Sequence, residues 1–238
     1  MKNEIRLHVR GQLGVQILQS FVALGSIYDD EKPVIYVNTH GVGDNFGPRL
    51  NEVFDLGLDV RTQDEMRKTP YWVEGAAGRA FRYRERTLTK WLKPIEKLRG
   101  SPQTKLLQKI VHVRGSDKSI ASVESYARLW SMWKDANPTD DIPPLVVGTP
   151  DAFVESVATA IKAPARRSAE PFMDWYDILN ADVVVCMPNA FVISTLMVNP
   201  NKRVAFGGKS FNDGSYPIVG DMTFIEEARQ FCGNVMVL

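Results

Sequence analysis

DVVVCMPNAFVISTLMV, residues 182–198, decides the fold. Four successive apolar residues after Asp182 read as a strand buried on both faces. Pro188 and Asn189 break the run. The apolar residues that follow, from Phe191 to Val198, fall at helical spacing. This is strand, polar turn, helix, the building unit of a parallel sheet.

Working outward, the unit recurs. VHVRGSDK (111–118) ends a strand over 106–114, and residues 122–136 form an amphipathic helix with Ser122 as its N-cap and Ser125 close behind. PLVVGTPD (144–151) is a buried strand, and a helix over 151–162 opens at Asp151. DWYDILNA (174–181) is helical, KRVAFGG (202–208) is a short strand, and FIEEARQFC (224–232) is a last helix. At the other end, EIRLHVR (4–10) alternates as a half-buried strand, Gly11 to Gly14 form a turn, a helix covers 15–28, and 33–38 are the next strand. Residues 39–104 are less regular, with a glycine-rich loop HGVGDNFG and a short helix and strand within 49–60. Pro94 and the SPQ at 101–103 mark a boundary, so the expectation is two α/β domains, 1–104 and 105–238.

In such sheets ligands bind where loops leave the carboxyl ends of strands. Three loops qualify: GQLG (11–14), RGSDK (114–118) and MPNA (187–190). Arg114 stands at a strand end, where a guanidinium can grip a phosphate with two parallel hydrogen bonds or pair with Asp117. His112 lies on the same strand face. Pro188, Asn189, Ala190 and Phe191 would open a helix whose N–H groups suit an anion, or be a plain connection. GQLGVQ lacks the G-x-G-x-x-G spacing, and no G-x-x-x-x-G-K-[ST] loop is present.

Composition narrows the classes. With 29 Lys+Arg against 28 Asp+Glu among 238 residues, net charge draws the chain to neither nucleic acid nor membrane. Cys186 and Cys232 make neither a disulfide framework nor a zinc site. No apolar leader segment and no run of about 18 apolar residues is seen, so a cytoplasmic protein is expected. The absence of D-x-D, H-E-x-x-H and G-x-S-x-G leaves paired-aspartate metal chemistry and acyl transfer without support.

Three motifs, in order, resemble the fucosyltransferase superfamily of GT-B glycosyltransferases. That group holds the alpha-1,2-, alpha-1,6- and protein O-fucosyltransferases. GQLGVQ (11–16), leading into FVALGS, is similar to its G-G-L-G-N-Q or G-R-F-G-N-Q turn and helix. HVRGSDK (112–118) resembles H-V-R-R-T-D-K. DWYDILNADVVVCMPNAF (174–191) resembles D-I-x-x-L-x-x-A-D-x-x-V-C followed by a polar turn, and VVGTPDAF (146–153) is similar to an A-T-D-D-P strand end.

The resemblance implies two Rossmann-like doubly wound domains, the first compact and on the acceptor side, the second binding a nucleotide sugar. It implies inverting transfer of a sugar, fucose from GDP-fucose in the family, to a hydroxyl acceptor, with no cofactor and no required metal. Arg114 would hold the donor diphosphate, Asp174 the base, and Asn189, Ala190 and Phe191 the β-phosphate. Gly11, Gln12, Gly14 and His112 complete the donor-binding set. Asp117 and Glu124 are the nearby carboxylates for a general base, and Asp117 equally suits an Asx turn or a pair with Arg114.

Gly115 stands where the family has a second arginine, Val15 where it has asparagine, Gln12 in place of an arginine, and Asn189 and Ala190 in place of Ser/Thr. Another nucleotide sugar, or weakened catalysis, would follow from these departures. A non-catalytic nucleotide-sugar or nucleic-acid binding module on a decayed GT-B scaffold is the alternative. An unrelated doubly wound nucleotide-binding enzyme is a third reading. Residues 79–99 (RAFRYRERTLTKWLKPIEKLR) carry eight Lys/Arg against two Glu. With Phe81, Tyr83 and Trp91 they could meet an anionic acceptor, nucleic acid or a lipid-linked glycan, or form a solvated face over aromatic core contacts.

Overall fold

The computed structural model describes residues 4–9, 13–27, 32–37, 50–56, 59–62, 71–72, 80–95, 108–114, 121–167, 171–208, 211 and 219–238. They divide into two compact units, Met1–Ser101 and Pro102–Leu238.

In the first unit, strands β1 (Glu4–Val9), β2 (Lys32–Val37), β4 (Asp59–Thr62) and β5 (Tyr71–Trp72) form a parallel sheet in the order β4-β2-β1-β5. Helix α1 (Leu13–Gly25) joins β1 to β2. It is buried nearly all round, as its apolar composition requires. It begins at Leu13, so Gly14 is a buried helical residue rather than part of the expected turn. Gly11 and Gln12 lie outside the described residues.

A short helix α2 (Leu50–Val53) leads into β3 (Phe54–Leu56), which pairs antiparallel with β6 (Leu92–Pro94). The basic stretch supplies a 3-10 turn (Phe81–Tyr83) and helix α3 (Arg84–Lys90). Part of its charge is structural. The Arg86 guanidinium donates to the carbonyls of Gly25 (3.2 Å) and Ile27 (2.5 Å), which closes the C-terminal end of α1. Buried Thr87 donates to Phe21 O at 3.2 Å, and Phe81 and Leu92 are buried beside it in sequence. Arg82 and Lys93 are exposed.

In the second unit, β7 (Lys109–Arg114), β8 (Leu145–Thr149), β9 (Val183–Cys186), β10 (Arg203–Phe206) and β11 (Val235–Val237) form a parallel sheet ordered β11-β10-β9-β7-β8. Strands β7 and β9 are buried almost throughout; the unbroken apolar run of β9 predicts this, whereas β7 buries Lys109 and His112 as well. The edge strand β11 is not expected from the sequence. Its three residues are too short a run to announce a strand, and pairing with β10 makes it one.

Helix α4 (Val123–Ala136) opens as expected: Ser122 caps it, its hydroxyl accepting Ser125 N–H at 3.2 Å. Tyr126, Leu129, Trp130 and Trp133 recur at helical spacing and are buried. With Val154, Val157 and Ala158 of α5 (Asp151–Ile161) they pack on the sheet face of Val111, Val113, Val183, Val185 and Ala205. Helix α5 opens at Asp151 as expected, with Pro150 at the N-cap and no side-chain hydrogen bond to it. Helix α6 begins at Pro171, one turn earlier than expected, and runs to Asn180. Helices α7 (Ala190–Leu196) and α8 (Val219–Phe231) follow β9 and β10. Alternation turns Ile110, His112 and Arg114 to the sheet face opposite Val111 and Val113.

The strand order carries the functional meaning. From β7 the chain steps to β8 on one side, then crosses back to β9 on the other. The order reverses between β7 and β9, and in doubly wound sheets it is at the carboxyl ends of strands flanking such a reversal that ligands bind.

Candidate functional site

His112 is in register with Cys186, the last residue of β9, so Arg114 extends two residues past the end of that strand. On the other side Arg114 is level with Thr149, the last residue of β8. Arg114 is half-buried, and its backbone N–H donates to the Tyr126 hydroxyl at 3.1 Å. Tyr126 is buried and meets Phe153 edge-on, with ring centroids 6.1 Å apart. A helix residue thereby holds the end of β7. Burial pushes the phenol of Tyr126 well above its usual range, so it stays protonated.

The turn after β9 closes against the same strand. Asn189 caps α7, its side-chain oxygen accepting Val192 N–H at 2.9 Å, and its amide nitrogen donates to Met187 O at 2.7 Å. That nitrogen is also 3.4 Å from His112 Nδ1. Phe191 stacks on the His112 ring, centroids 5.5 Å apart and planes inclined by 21°. With Val192 N–H taken by the cap, the Ala190 and Phe191 N–H groups stand outside the hydrogen bonds of α7 itself.

This turn is braced from behind. Phe191 O accepts the Ser194 hydroxyl at 2.7 Å, and Ser194 in turn accepts the indole N–H of buried Trp175 at 2.8 Å. Trp175, Ser194 and Tyr126 are supporting residues that sequence reading does not pick out. Their spacing marks them only as core positions.

Electrostatics separate the groups. Burial, reinforced by the Arg114 guanidinium, lowers the His112 pKa to about 3, so the ring is neutral at ordinary pH. Burial raises the Cys186 thiol out of reactive range, and Cys186 packs as a small hydrophobe. Glu124 sits in the first turn of α4, fully exposed. Its own backbone N–H and the Ser122 hydroxyl hold its carboxyl below the usual range.

Asp174 is buried in the first turn of α6, and its Oδ1 accepts Arg166 Nη2 at 2.7 Å. Arg166 also pairs with Asp177. The structure thus brings His112 against Asn189 and Phe191, with Ala190 between them in the turn and Arg114 two residues further along β7. Asp174 is engaged by Arg166, and Glu124 helps open its own helix. Asp117 lies outside the described residues, as do Gly11 and Gln12. Gly14 belongs to the first unit. Among the described residues no three His, Cys, Asp or Glu side chains gather where a metal ion could be held. Among them, too, no helix is long and apolar enough to cross a membrane.

No protein-family profile matches the chain, and no curated protein matches it. Among solved structures it is similar to the iron-containing dodecameric glycosyltransferase TibC from enterotoxigenic E. coli H10407, at 11% identity and a TM-score of 0.47. The match covers 87% of this chain and 58% of that one, so the chain spans little more than half the length of that structure.

Proposed function

We propose that this chain is a metal-independent, inverting glycosyltransferase of GT-B architecture that moves a sugar from a nucleoside-diphosphate sugar to a hydroxyl acceptor. One observation carries the reading: His112, two residues before Arg114 on β7, meets Asn189 and Phe191 of the turn after β9 at the point where the strand order reverses, in the segments that resemble the fucosyltransferase motifs. In this reading the second unit takes the donor. The first takes the acceptor, and its Gly11, Gln12 and Gly14 belong to the donor-binding set that the resemblance implies.

Arg114 binds the diphosphate, and the Ala190 and Phe191 N–H groups supply further donors. As the acceptor oxygen bonds to the anomeric carbon from the far face, the bond from that carbon to the β-phosphate oxygen breaks. The electron pair leaves on the diphosphate, where these groups stabilise it. A carboxylate takes the acceptor proton. Asp117 is the better candidate, because the depressed Glu124 carboxyl is a weaker base. GDP-fucose is the first donor to test, and the ion pair on Asp174 makes the base the point at issue.

A second reading, a non-catalytic nucleotide-sugar binding module, is favoured by that same pairing of Asp174 and depression of Glu124. Thermal shift against GDP-, UDP- and ADP-sugars, repeated on Arg114→Ala, tests both. Stabilisation by one donor, lost in the variant, with sugar transfer or donor hydrolysis, supports the enzyme. Stabilisation without turnover supports the module. No stabilisation by any donor removes both.

A further inference from the structure

Asn189 is 3% exposed and spends both ends of its amide on the turn it caps. Oδ1 accepts Val192 N–H and Nδ2 donates to Met187 O. The two bonds fix which end is nitrogen, since the exchanged amide would set oxygen against oxygen and N–H against N–H. The second Nδ2 hydrogen is then left for His112, whose Nδ1 lies 3.4 Å away. A proton on Nδ1 would face an N–H donor. A lone pair there accepts a weak bond instead, so the ring proton belongs on Nε2.

The surroundings keep the ring uncharged. Arg114 lies two residues along the same strand face, and the register neighbours are Val147 on β8 and Cys186 on β9. Helix α7 adds Phe191, stacked on the ring. The Cys186 thiol stays protonated, so among the described groups that face His112 the charge is the Arg114 cation.

We propose that Asn189 is a positioning residue that holds His112 in the neutral Nε2–H tautomer, so that the ring offers a ligand a fixed hydrogen-bond donor and never a second cation beside Arg114. As a statement about a ligand this rests on the nucleoside-diphosphate reading above. Arg114 then supplies the charge, and His112 supplies direction without taking up a proton.

The test is histidine-ring 15N–1H correlation on the full chain, with His112→Gln to assign one of its three histidines. In the wild type, Nδ1 is expected to resonate as an unprotonated nitrogen and Nε2 as a protonated one, unchanged down to pH 5. Asn189→Ser keeps a capping oxygen for Val192 N–H but loses the amide donor, and is expected to give mixed tautomer shifts. Asn189→Asp also keeps the cap and offers Nδ1 an acceptor. It is expected to move the proton to Nδ1 or to charge the ring above pH 5. A wild-type ring protonated on Nδ1, or wild-type shifts in Asn189→Ser, would overturn the positioning role.

Titration with GDP and UDP separates the two ideas. Ring shifts that move on addition of nucleotide support the ligand role. The expected tautomer with no response to either nucleotide removes the nucleotide reading and leaves the positioning of His112 standing.

Discussion

The hydroxyl of Tyr126 accepts the backbone N–H of Arg114 at 3.1 Å, so the end of β7, in register with β8 at Thr149, is also tied to the helix that follows it. Tyr126→Phe removes the acceptor and leaves the ring. The expected loss is about 1 kcal/mol, the net worth of one intramolecular hydrogen bond, read as a lower urea midpoint with an unchanged slope. Because Arg114 is then held less firmly, nucleotide binding should weaken more than the stability loss alone accounts for.

Asp174 and Arg166 form an ion pair whose carboxylate is 4% exposed. Asp174→Asn leaves Arg166 with Asp177 and removes the buried charge. Arg166→Met removes this ion pair from the carboxylate. The second variant is expected to lose more, roughly 2–4 kcal/mol, because a buried carboxylate deprived of this ion pair costs more than a neutral amide. Urea unfolding at pH 7 checks the order. A change in GDP-over-UDP preference in Asp174→Asn would show that the residue also reads the base.

His112 has a folded pKa of about 3 against an ordinary 6.5. The unfolded ring takes up a proton between those values while the folded ring does not. Its contribution to stability is therefore complete above about pH 6.5 and is lost as pH falls toward 3. Between pH 7.5 and pH 5 the loss is about 2 kcal/mol, at roughly 1.4 kcal/mol per pKa unit. His112→Gln should remove this part of the acid sensitivity. Unfolding free energies of both proteins at the two pH values measure it by difference.

Gly148 has φ +141°, and a Cβ there would stand 1.8 Å from Val113 O. That backbone oxygen belongs to β7 and cannot swing aside. Gly148→Ala is expected to cost more than about 3 kcal/mol, since left-handed strain and a backbone clash add. Thermal unfolding, or loss of soluble protein, reads the effect.

Arg86 closes α1 through two carbonyls. Arg86→Met keeps the aliphatic stem and removes the donors. An expected loss of about 1–2 kcal/mol follows, from hydrogen bonds made by a charged group at a helix C-terminus. Arg82→Met, at an exposed position of the same basic stretch, should change stability by less than about 0.5 kcal/mol. Chemical denaturation distinguishes them.

Local pattern alone specified the alternation of strands and helices from residue 106 onward, the Ser122 cap and the buried run of β9. Each depends on neighbours in the chain: apolar periodicity, a hydroxyl before a helix, a turn after a strand. Where structure depends on partners distant in sequence, pattern was silent. β11 is a strand because β10 lies beside it, and Arg86 is a helix cap because α1 ends against it. The site divides in the same way. His112, Arg114, Asn189, Ala190 and Phe191 were legible as strand-end and turn residues. Only the order β8-β7-β9 put the end of β7 beside the turn that follows β9. Only burial made His112 neutral, and only the fold brought Arg166 to Asp174, because charge and solvation are set by what surrounds a side chain in space.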